Sequence, residues 1–370
     1  MKQHRTRIAV PGDVRALLQI EQLCFDGDQL SRRSFKHFIK PGSHDLIVLE
    51  SDDKISGYAL VLYRSGTNLA RLYSIAILPD QQGKGLSKIL LNSVEEFVQK
   101  KNCVFIRLEV SVNNKLAISL YEKYGYTYFD TIPAYYDDGS DAVRMEKRLH
   151  LVIQDKNKVR PYYEQTTDFT CGPASLMMAL KTLDKSYQMS RLEELQIWRE
   201  STTIYMTAGH GGCSPHGLAL SAWNRGFDVT LHINQADAPF MDSVRSDEKK
   251  EVIELVHDSF INQIKSTDIK INIHNLEAAE IDLLLRTGYP IIVLISTWRL
   301  NRNKAPHWVY VASSDDDFVY INDPDKNDET HISQTDFIHV PINKAIFSEM
   351  AQFGQKKLRC LLVVSGPRKY

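Results

Sequence analysis

The chain is poor in cysteine, carries no excess of charge of either sign, and has no long hydrophobic run. Its five cysteines, Cys24, Cys103, Cys171, Cys213 and Cys360, are odd in number, widely spaced and without any C-x-x-C pair. That argues against a disulfide framework and against a structural zinc site. No stretch approaches the ~18 apolar residues that a membrane helix needs, and the opening MKQHRTRIAVPGD lacks the apolar segment of a signal peptide. A cytoplasmic protein with no membrane partner is the expectation. Lys and Arg total 45 against 46 Asp and Glu; residues 1–150 carry 21 against 18, and the remainder 24 against 28. Neither half has the basic excess that binding a phosphate backbone demands, so nucleic acid is not the expected partner. Internal repeats and low-complexity stretches are missing as well.

What is present is a globular composition over more than one domain's length. With 370 residues, 43% hydrophobic and 25% charged, the chain has room for two or three domains that each bury a core. The polar run QDKNK marks a linker at 153–159, between a first domain at 1–152 and a second at 160–370.

The first informative stretch is LYSIAILPDQQGKGLSKILL, Leu72 to Leu91. Leu72 to Leu78 reads as a buried strand that Pro79 ends, because proline cannot donate to a ladder. After the turn, Leu86, Ile89, Leu90, Val94, Phe97 and Val98 recur at intervals of three and four, one face of an amphipathic helix. The first N–H groups of a helix have no internal partner and suit a phosphate, and Gly83 and Gly85 keep side chains out of its way. Val104 to Val110 reads as another strand, with Ile106, Leu108 and Val110 facing one way and Arg107 and Glu109 the other. KLAISLYEKYGY follows as a short helix carrying Tyr121, stopped by Gly125.

This block resembles the GNAT superfamily of N-acetyltransferases, whose phosphate loop has the pattern Gln/Arg-x-x-Gly-x-Gly/Ala. Here it is Gln82-Gly83-Lys84-Gly85-Leu86-Ser87, with Ser87 where glycine or alanine is usual. Within the superfamily the likeness is to RimI-type protein N-terminal acetyltransferases, over roughly Thr6 to Leu149. The resemblance implies acetyl-CoA as cofactor and a peptide or protein with a free amine as acceptor. By position, the backbone of Gly83 to Lys88 would hold the pyrophosphate, with Ile77, Gln82, Gly83, Lys84, Gly85, Leu86, Ser87 and Lys88 lining the site and Asn114 on the cofactor arm. Glu109 would be the general base and Tyr121 the general acid, since an amine must lose a proton and a thiolate must gain one. The competing readings are a solvated Glu109 and a core Tyr121.

Earlier in the chain, Asp13 to Phe25 and Ser31 to Ile39 read as helices. Leu46 to Glu50 and Ile55 to Tyr63 read as a hairpin, and a second hairpin is expected about Asp138-Gly139. The fold class is α/β (α+β), a mixed sheet with helices on both sides.

The second informative stretch is YYEQTTDFTCGPASLMMALKTL. Leu176, Ala179, Leu180 and Leu183 mark a helix packed on one side, and Gly172-Pro173 fits its first turn. Cys171 then stands at the helix start, where the dipole and free amides favour a thiolate nucleophile; an inert buried cysteine is the alternative. APHWVYVAS and FVYINDP read as a hairpin over Ser314 to Asp317, which sets His307 opposite Asp323. Cys171 precedes His307 by 136 residues, within the ~130–150 of papain-like peptidases.

Roughly Arg160 to Val364 resembles papain-like cysteine peptidases of the bacteriocin-processing, double-glycine type. The resemblance implies Cys171 as nucleophile, His307 as base, Asp323 as orienting acid and Gln165 as oxyanion donor. An isopeptidase, amidase or transacylase would use the same groups, and a non-catalytic peptide-binding module remains open. HGGCSPHGLALSAWNRGF, with His210, Cys213 and His216, reads as a loop near the site rather than a metal centre. Val252, Val256, Phe260 and Ile264 mark one further helix.

Overall fold

The computed structural model describes residues 4–149, 161–203, 205–206, 209–241, 244, 246–325 and 334–368. The chain forms two compact units, Met1–Leu151 and Val152–Tyr370. The linker expected at 153–159 lies outside the described residues.

The first unit holds β1 (His4–Ile8), α1 (Val14–Cys24), α2 (Arg32–Phe38), β2 (His44–Ser51), β3 (Lys54–Tyr63), β4 (Leu69–Ile77), α3 (Leu86–Lys100), β5 (Phe105–Ser111), α4 (Lys115–Lys123), β6 (Thr127–Ile132) and β7 (Ala142–Arg148). Its sheet runs in the order β1-β2-β3-β4-β5-β7-β6. Period-two alternation sorts the strand side chains. Ile47 and Leu49 of β2 meet Leu86, Leu90 and Val94 of α3, while Leu46 and Val48 meet Leu17, Ile20 and Phe35 of α1 and α2. Both faces are covered, which is why β2 and β3 are apolar almost continuously. The first expected hairpin closes tightly through Asp52 and Asp53, both at positive φ. The second does not: β6 and β7 pair, but Asp138-Gly139 is one turn inside a longer loop, where Tyr135 and Tyr136 donate to the Ser140 carbonyl.

The second unit holds α5 (Cys171–Leu183), α6 (Arg191–Ser201), β8 (Tyr205–Met206), β9 (Gly209–His210), α7 (Pro215–Asn224), β10 (Phe227–Ile233), α8 (Asp247–Ile264), β11 (Lys270–Ile273), α9 (Ala278–Leu285), β12 (Ile291–Ser296), α10 (Trp298–Asn301), β13 (Pro306–Ser314), β14 (Phe318–Asn322), β15 (Val340–Asn343), α11 (Lys344–Met350) and β16 (Cys360–Pro367). Its main sheet is ordered β11-β10-β16-β12-β13-β14-β15. One core lies between this sheet and α5, α7 and α8, and a second lies on the opposite face under α9 and α11.

Three local expectations change. Gly172 through Leu180 are all buried, so α5 is a central helix wrapped on every side rather than one packed on one face. Residues Pro215–Asn224, expected as loop, form a buried helix whose start is capped by Ser214 and admits Pro215 at its first turn. In α8 the inward face carries Ile253, Phe260 and Ile264, one position away from the expected Val252.

Candidate active sites

In the first unit the site begins where two strands part. β4 and β5 pair in parallel over Leu69–Arg71 and Phe105–Arg107 and the ladder stops there, although β4 runs on to Ile77 and β5 to Ser111. The chain leaves β4 through Pro79–Gln81 and enters α3 by way of Gly83 and Gly85, at φ 73° and 78°. These angles are the left-handed region that glycine reaches without strain. A Cβ added at either glycine would meet nothing within 4 Å. Among the described residues, the backbone N–H groups of Gly83, Lys84 and Gly85 find no protein acceptor.

Gln81 through Lys88 contain no carboxylate, so the donor set of this turn suits a diphosphate. Leu86 is buried and anchors the helix start, Ser87 is half-buried, and Gln82, Lys84 and Lys88 are exposed. Gln82 Nε2 donates to the Ile77 carbonyl at 3.0 Å and ties the turn to the strand end. Lys84 Nζ donates to the Asp80 carbonyl at 2.5 Å and to Gln81 Oε1 at 3.1 Å, which tethers its charge to the preceding turn. Asn114 caps α4, accepting from the Ala117 N–H at 3.1 Å, and keeps its NH₂ for another partner.

Glu109 is not solvated. Its carboxylate pairs with Arg71 Nε at 2.8 Å, and both side chains are 4% exposed. Arg71 also donates to the Tyr135 hydroxyl at 2.9 Å. Tyr121 is buried, with its ring 5.5 Å from that of Tyr126, and burial pushes its phenol up. It packs within the core of the first unit, as the core reading of Tyr121 has it. Burial, then Tyr135, Glu109, Tyr121 and Asp28, push Tyr136 up. The β6–β7 loop thus brings Tyr135 and Tyr136 to Glu109 and Tyr121, which strand and helix periodicity alone do not reveal.

In the second unit Cys171 is the first residue of α5 and is half-buried. One turn on, Ser175 Oγ donates to the Trp308 carbonyl at 3.0 Å, fully buried. That bond fixes the helix start beside the residue next to His307. His307 Nε2 lies 2.7 Å from Asp323 Oδ1, with side chains 7% and 3% exposed. The other ring nitrogen is not engaged by Asp323, and the Cys171 sulfur is near enough to add to the upward push on the imidazole. Burial alone would push His307 down; the Asp323 carboxylate and the Cys171 sulfur outweigh it and hold the imidazole well above its usual value.

The register differs from the expected hairpin. Tyr310 pairs with Asn322, after a bulge between Val311 and Ser313, so His307 does not sit directly opposite Asp323. The turn centres about a residue later than expected, since the Asp315 N–H donates to the Phe318 carbonyl. The two side chains meet diagonally, and the Asp323 N–H is held by the Phe337 carbonyl at 2.9 Å. Gln165 lies against the same segment: its N–H donates to the Pro324 carbonyl at 2.8 Å and its Nε2 to Asp325 Oδ1 at 3.1 Å. Its Oε1 is buried without a partner among the described residues.

Cys213 is buried against Gly172, and burial, then the nearby Cys171, push its thiol well up. Burial also pushes up Cys24, Cys103 (to about 12) and Cys360. His216, buried on α7 beside His257, is pushed down to about 3 by burial and that neighbour. No group of three or more potential metal ligands occurs among the described residues, and the His210 side chain lies outside them.

A family model described as "Peptidase_C39 like family" matches residues 160–365. The chain belongs to the Peptidase_C39 like family. A second model, "Acetyltransferase (GNAT) family", matches residues 14–126, so a GNAT acetyltransferase domain precedes the Peptidase_C39-like domain. The chain is 31% identical over 136 residues to the putative [ribosomal protein bS18]-alanine N-acetyltransferase of Bacillus subtilis, spanning 36% of this chain and 87% of that one. It is 35% identical over 102 residues to an uncharacterized N-acetyltransferase of Methanocaldococcus jannaschii, spanning 27% of this chain and 64% of the other. The crystal structure of the ribosomal-protein-S18-alanine N-acetyltransferase from Escherichia coli aligns with 42% of this chain and 100% of its own, at 24% identity and a TM-score of 0.38. Among the described residues no helix is long and apolar enough to cross a membrane.

Proposed function

We propose that the chain is a cytoplasmic two-site enzyme. The GNAT domain transfers acetyl from acetyl-CoA to an amine, of which a peptide or protein N-terminus is the best candidate. The Peptidase_C39-like domain cleaves or transfers an acyl or peptidyl group through Cys171.

For the acetyltransferase, the open amides of Gly83, Lys84 and Gly85 support pyrophosphate binding, with Ile77, Gln82 and Asn114 along the cofactor. When bound, acetyl-CoA supplies an acetyl thioester. Glu109 takes the proton of the acceptor amine, directly or through a water, and Tyr121 returns one to the departing sulfur. Similarity to the putative [ribosomal protein bS18]-alanine N-acetyltransferase of Bacillus subtilis supports an N-terminal amine as acceptor.

For the thiol site, the observation that carries the reading is the buried pair of His307 Nε2 and Asp323 Oδ1 at 2.7 Å, with the Cys171 sulfur at the start of α5 near the same imidazole. Cys171 Sγ attacks a carbonyl carbon, and His307 takes the thiol proton and passes it to the leaving group. Asp323 stabilises the imidazolium, and Gln165 donates to the oxyanion. One observation favours the binding-module reading instead: Gln165 already donates to Asp325. The amide has a second N–H, which the catalytic reading requires.

Peptides of a cell lysate, incubated with acetyl-CoA and either intact protein or Cys171→Ala, report both activities by mass spectrometry. Acetylated N-termini with either protein, and cleaved or transferred products with the intact protein alone, are expected. Products unchanged by Cys171→Ala remove the thiol mechanism. Calorimetry with Gly85→Asp tests the other site: a carboxylate there would face the pyrophosphate, so acetyl-CoA binding is lost, and unchanged affinity takes the loop out of the site.

A further inference from the structure

Glu194, on α6, has no part in the chemistry just described, yet it is fully buried at 0% exposure. A carboxylate so placed persists only when its lone pairs are met. Four donors meet them. The Thr166 N–H reaches Oε1 at 2.8 Å and Thr170 Oγ1 lies 2.5 Å from the same oxygen. Thr166 Oγ1 donates to Oε2 at 2.7 Å and the Tyr163 hydroxyl at 3.1 Å.

All four donors come from Tyr163 to Thr170, the segment that carries Gln165 and ends on the residue before Cys171. On its other side this segment is tied to the strand end that presents Asp323. Asn322 Nδ2 donates to the Pro161 carbonyl at 2.9 Å and the Gln165 N–H to the Pro324 carbonyl at 2.8 Å. Glu194 therefore supplies the second of two clamps on the strap that presents the oxyanion donor.

Thr170 adds a separate observation. It occupies the N-cap position of α5, where a threonine hydroxyl ordinarily accepts from a first-turn N–H. Here it makes no such bond: Pro173 has no N–H to offer, and the hydroxyl is turned toward Glu194. Of the first-turn amides, Ala174 donates to the Thr170 carbonyl, and those of Cys171 and Gly172 have no protein acceptor among the described residues.

We propose that Glu194 is the positioning residue of the thiol site: it fixes the strap that bears Gln165 and ends on Thr170, the residue before Cys171. The proposal rests on the reading of Cys171 as a nucleophile and Gln165 as its oxyanion donor.

Two probes on the full chain separate positioning from the nucleophile itself. p-Nitrophenyl acetate acylates Cys171: the sulfur bonds to the carbonyl carbon, p-nitrophenolate departs and His307 receives the thiol proton. That step develops an oxyanion. Alkylation by iodoacetamide displaces iodide and develops none. Rates are taken after subtracting those of Cys171→Ala.

Glu194→Ala should slow acylation about 10–100-fold, short of the ~100–1000-fold of losing an oxyanion donor outright, with the rate of alkylation within about twofold of wild type and its pH midpoint unchanged. Glu194→Gln should restore acylation to within about threefold, since the Tyr163 and Thr166 hydroxyls can turn to accept from the amide NH₂. Wild-type acylation by Glu194→Ala overturns the proposal, and so does Glu194→Gln as slow as Glu194→Ala. If Glu194→Ala gives no folded protein by circular dichroism, Thr170→Val and Tyr163→Phe decide. Slowed acylation with unchanged alkylation in either supports the proposal; wild-type acylation in both overturns it. A wild-type chain that acylates no faster than free cysteine sinks the nucleophile reading and this inference with it. A fast wild type with an equally fast Glu194→Ala sinks the inference alone.

Discussion

The helices α3 and α5 both begin at a candidate site, and they use glycine in opposite ways. At α3, Gly83 and Gly85 sit at positive φ with open space where a Cβ would be. At α5, Gly172 has an ordinary φ but no space: a Cβ would come within 3.1 Å of Leu218 Cδ1 and 3.2 Å of Cys213 Cβ and Trp308 Cδ1. The first pair leaves room for a ligand and the second glycine leaves room for the protein. The acetyltransferase turn is thus separable from the core beneath it, whereas in the Peptidase_C39-like domain the contacts that align Cys171 with His307 are core contacts. Disturbing the first should change binding more than stability; disturbing the second should change both.

The largest expected effect sharpens this comparison. Cys171→Ala should reduce thiol acylation by p-nitrophenyl acetate by at least about a thousandfold while leaving acetyl-CoA affinity by calorimetry unchanged. A matching loss at both sites would break the separation. Next is Asp323→Asn, which strips the buried partner from His307 at a cost of about 3–5 kcal/mol. His307 is raised in the folded state, so its contribution is fully present below the unfolded value of about 6.5 and is lost as pH rises through the raised value. Urea unfolding of wild type and Asp323→Asn should therefore differ more at pH 6 than at pH 9; an equal gap at both would remove the charged pair from the stability of the domain.

Gly172→Ala should destabilise by about 1–3 kcal/mol through overpacking, read as a lower unfolding midpoint of the second unit. Gly83→Ala should have the smallest effect on stability, about 1 kcal/mol for the positive φ alone, with a measurable loss of acetyl-CoA affinity. If Gly83→Ala proves as destabilising as Gly172→Ala, the contrast between a ligand glycine and a packing glycine fails.

The two helices flanking the thiol site show where reading by pattern stops. In α6, Leu192 is 81% exposed while Glu194 is 0% exposed, the reverse of what hydropathy assigns. The inward face of α6 is chosen by the Tyr163–Thr170 strap it must hold, and nothing local to RLEELQIWRE records that. In α5, a period-3.6 stripe was legible, but the packing of Gly172 through Leu180 on every side depends on α7 and β13. The candidate triad was legible as residue types and spacing, while the diagonal meeting of His307 and Asp323 depends on a bulge and a turn centred one residue later. The Arg71–Glu109 pair was invisible, because its partners lie on strands whose pairing only the folded sheet defines.

By itself the sequence determined the features that act over a few residues. These are the alternation that sorts β2 between two cores, the turn of Gly83 and Gly85 that opens α3, and the cysteine at the start of α5. Their physics is local: backbone angles, helix ends and side-chain period. Only the tertiary structure decided which groups meet across long separations, Ser175 with Trp308 across 133 residues and Glu194 with Thr166 across 28. Those contacts depend on how elements pack, and packing is a property of all the buried surfaces together.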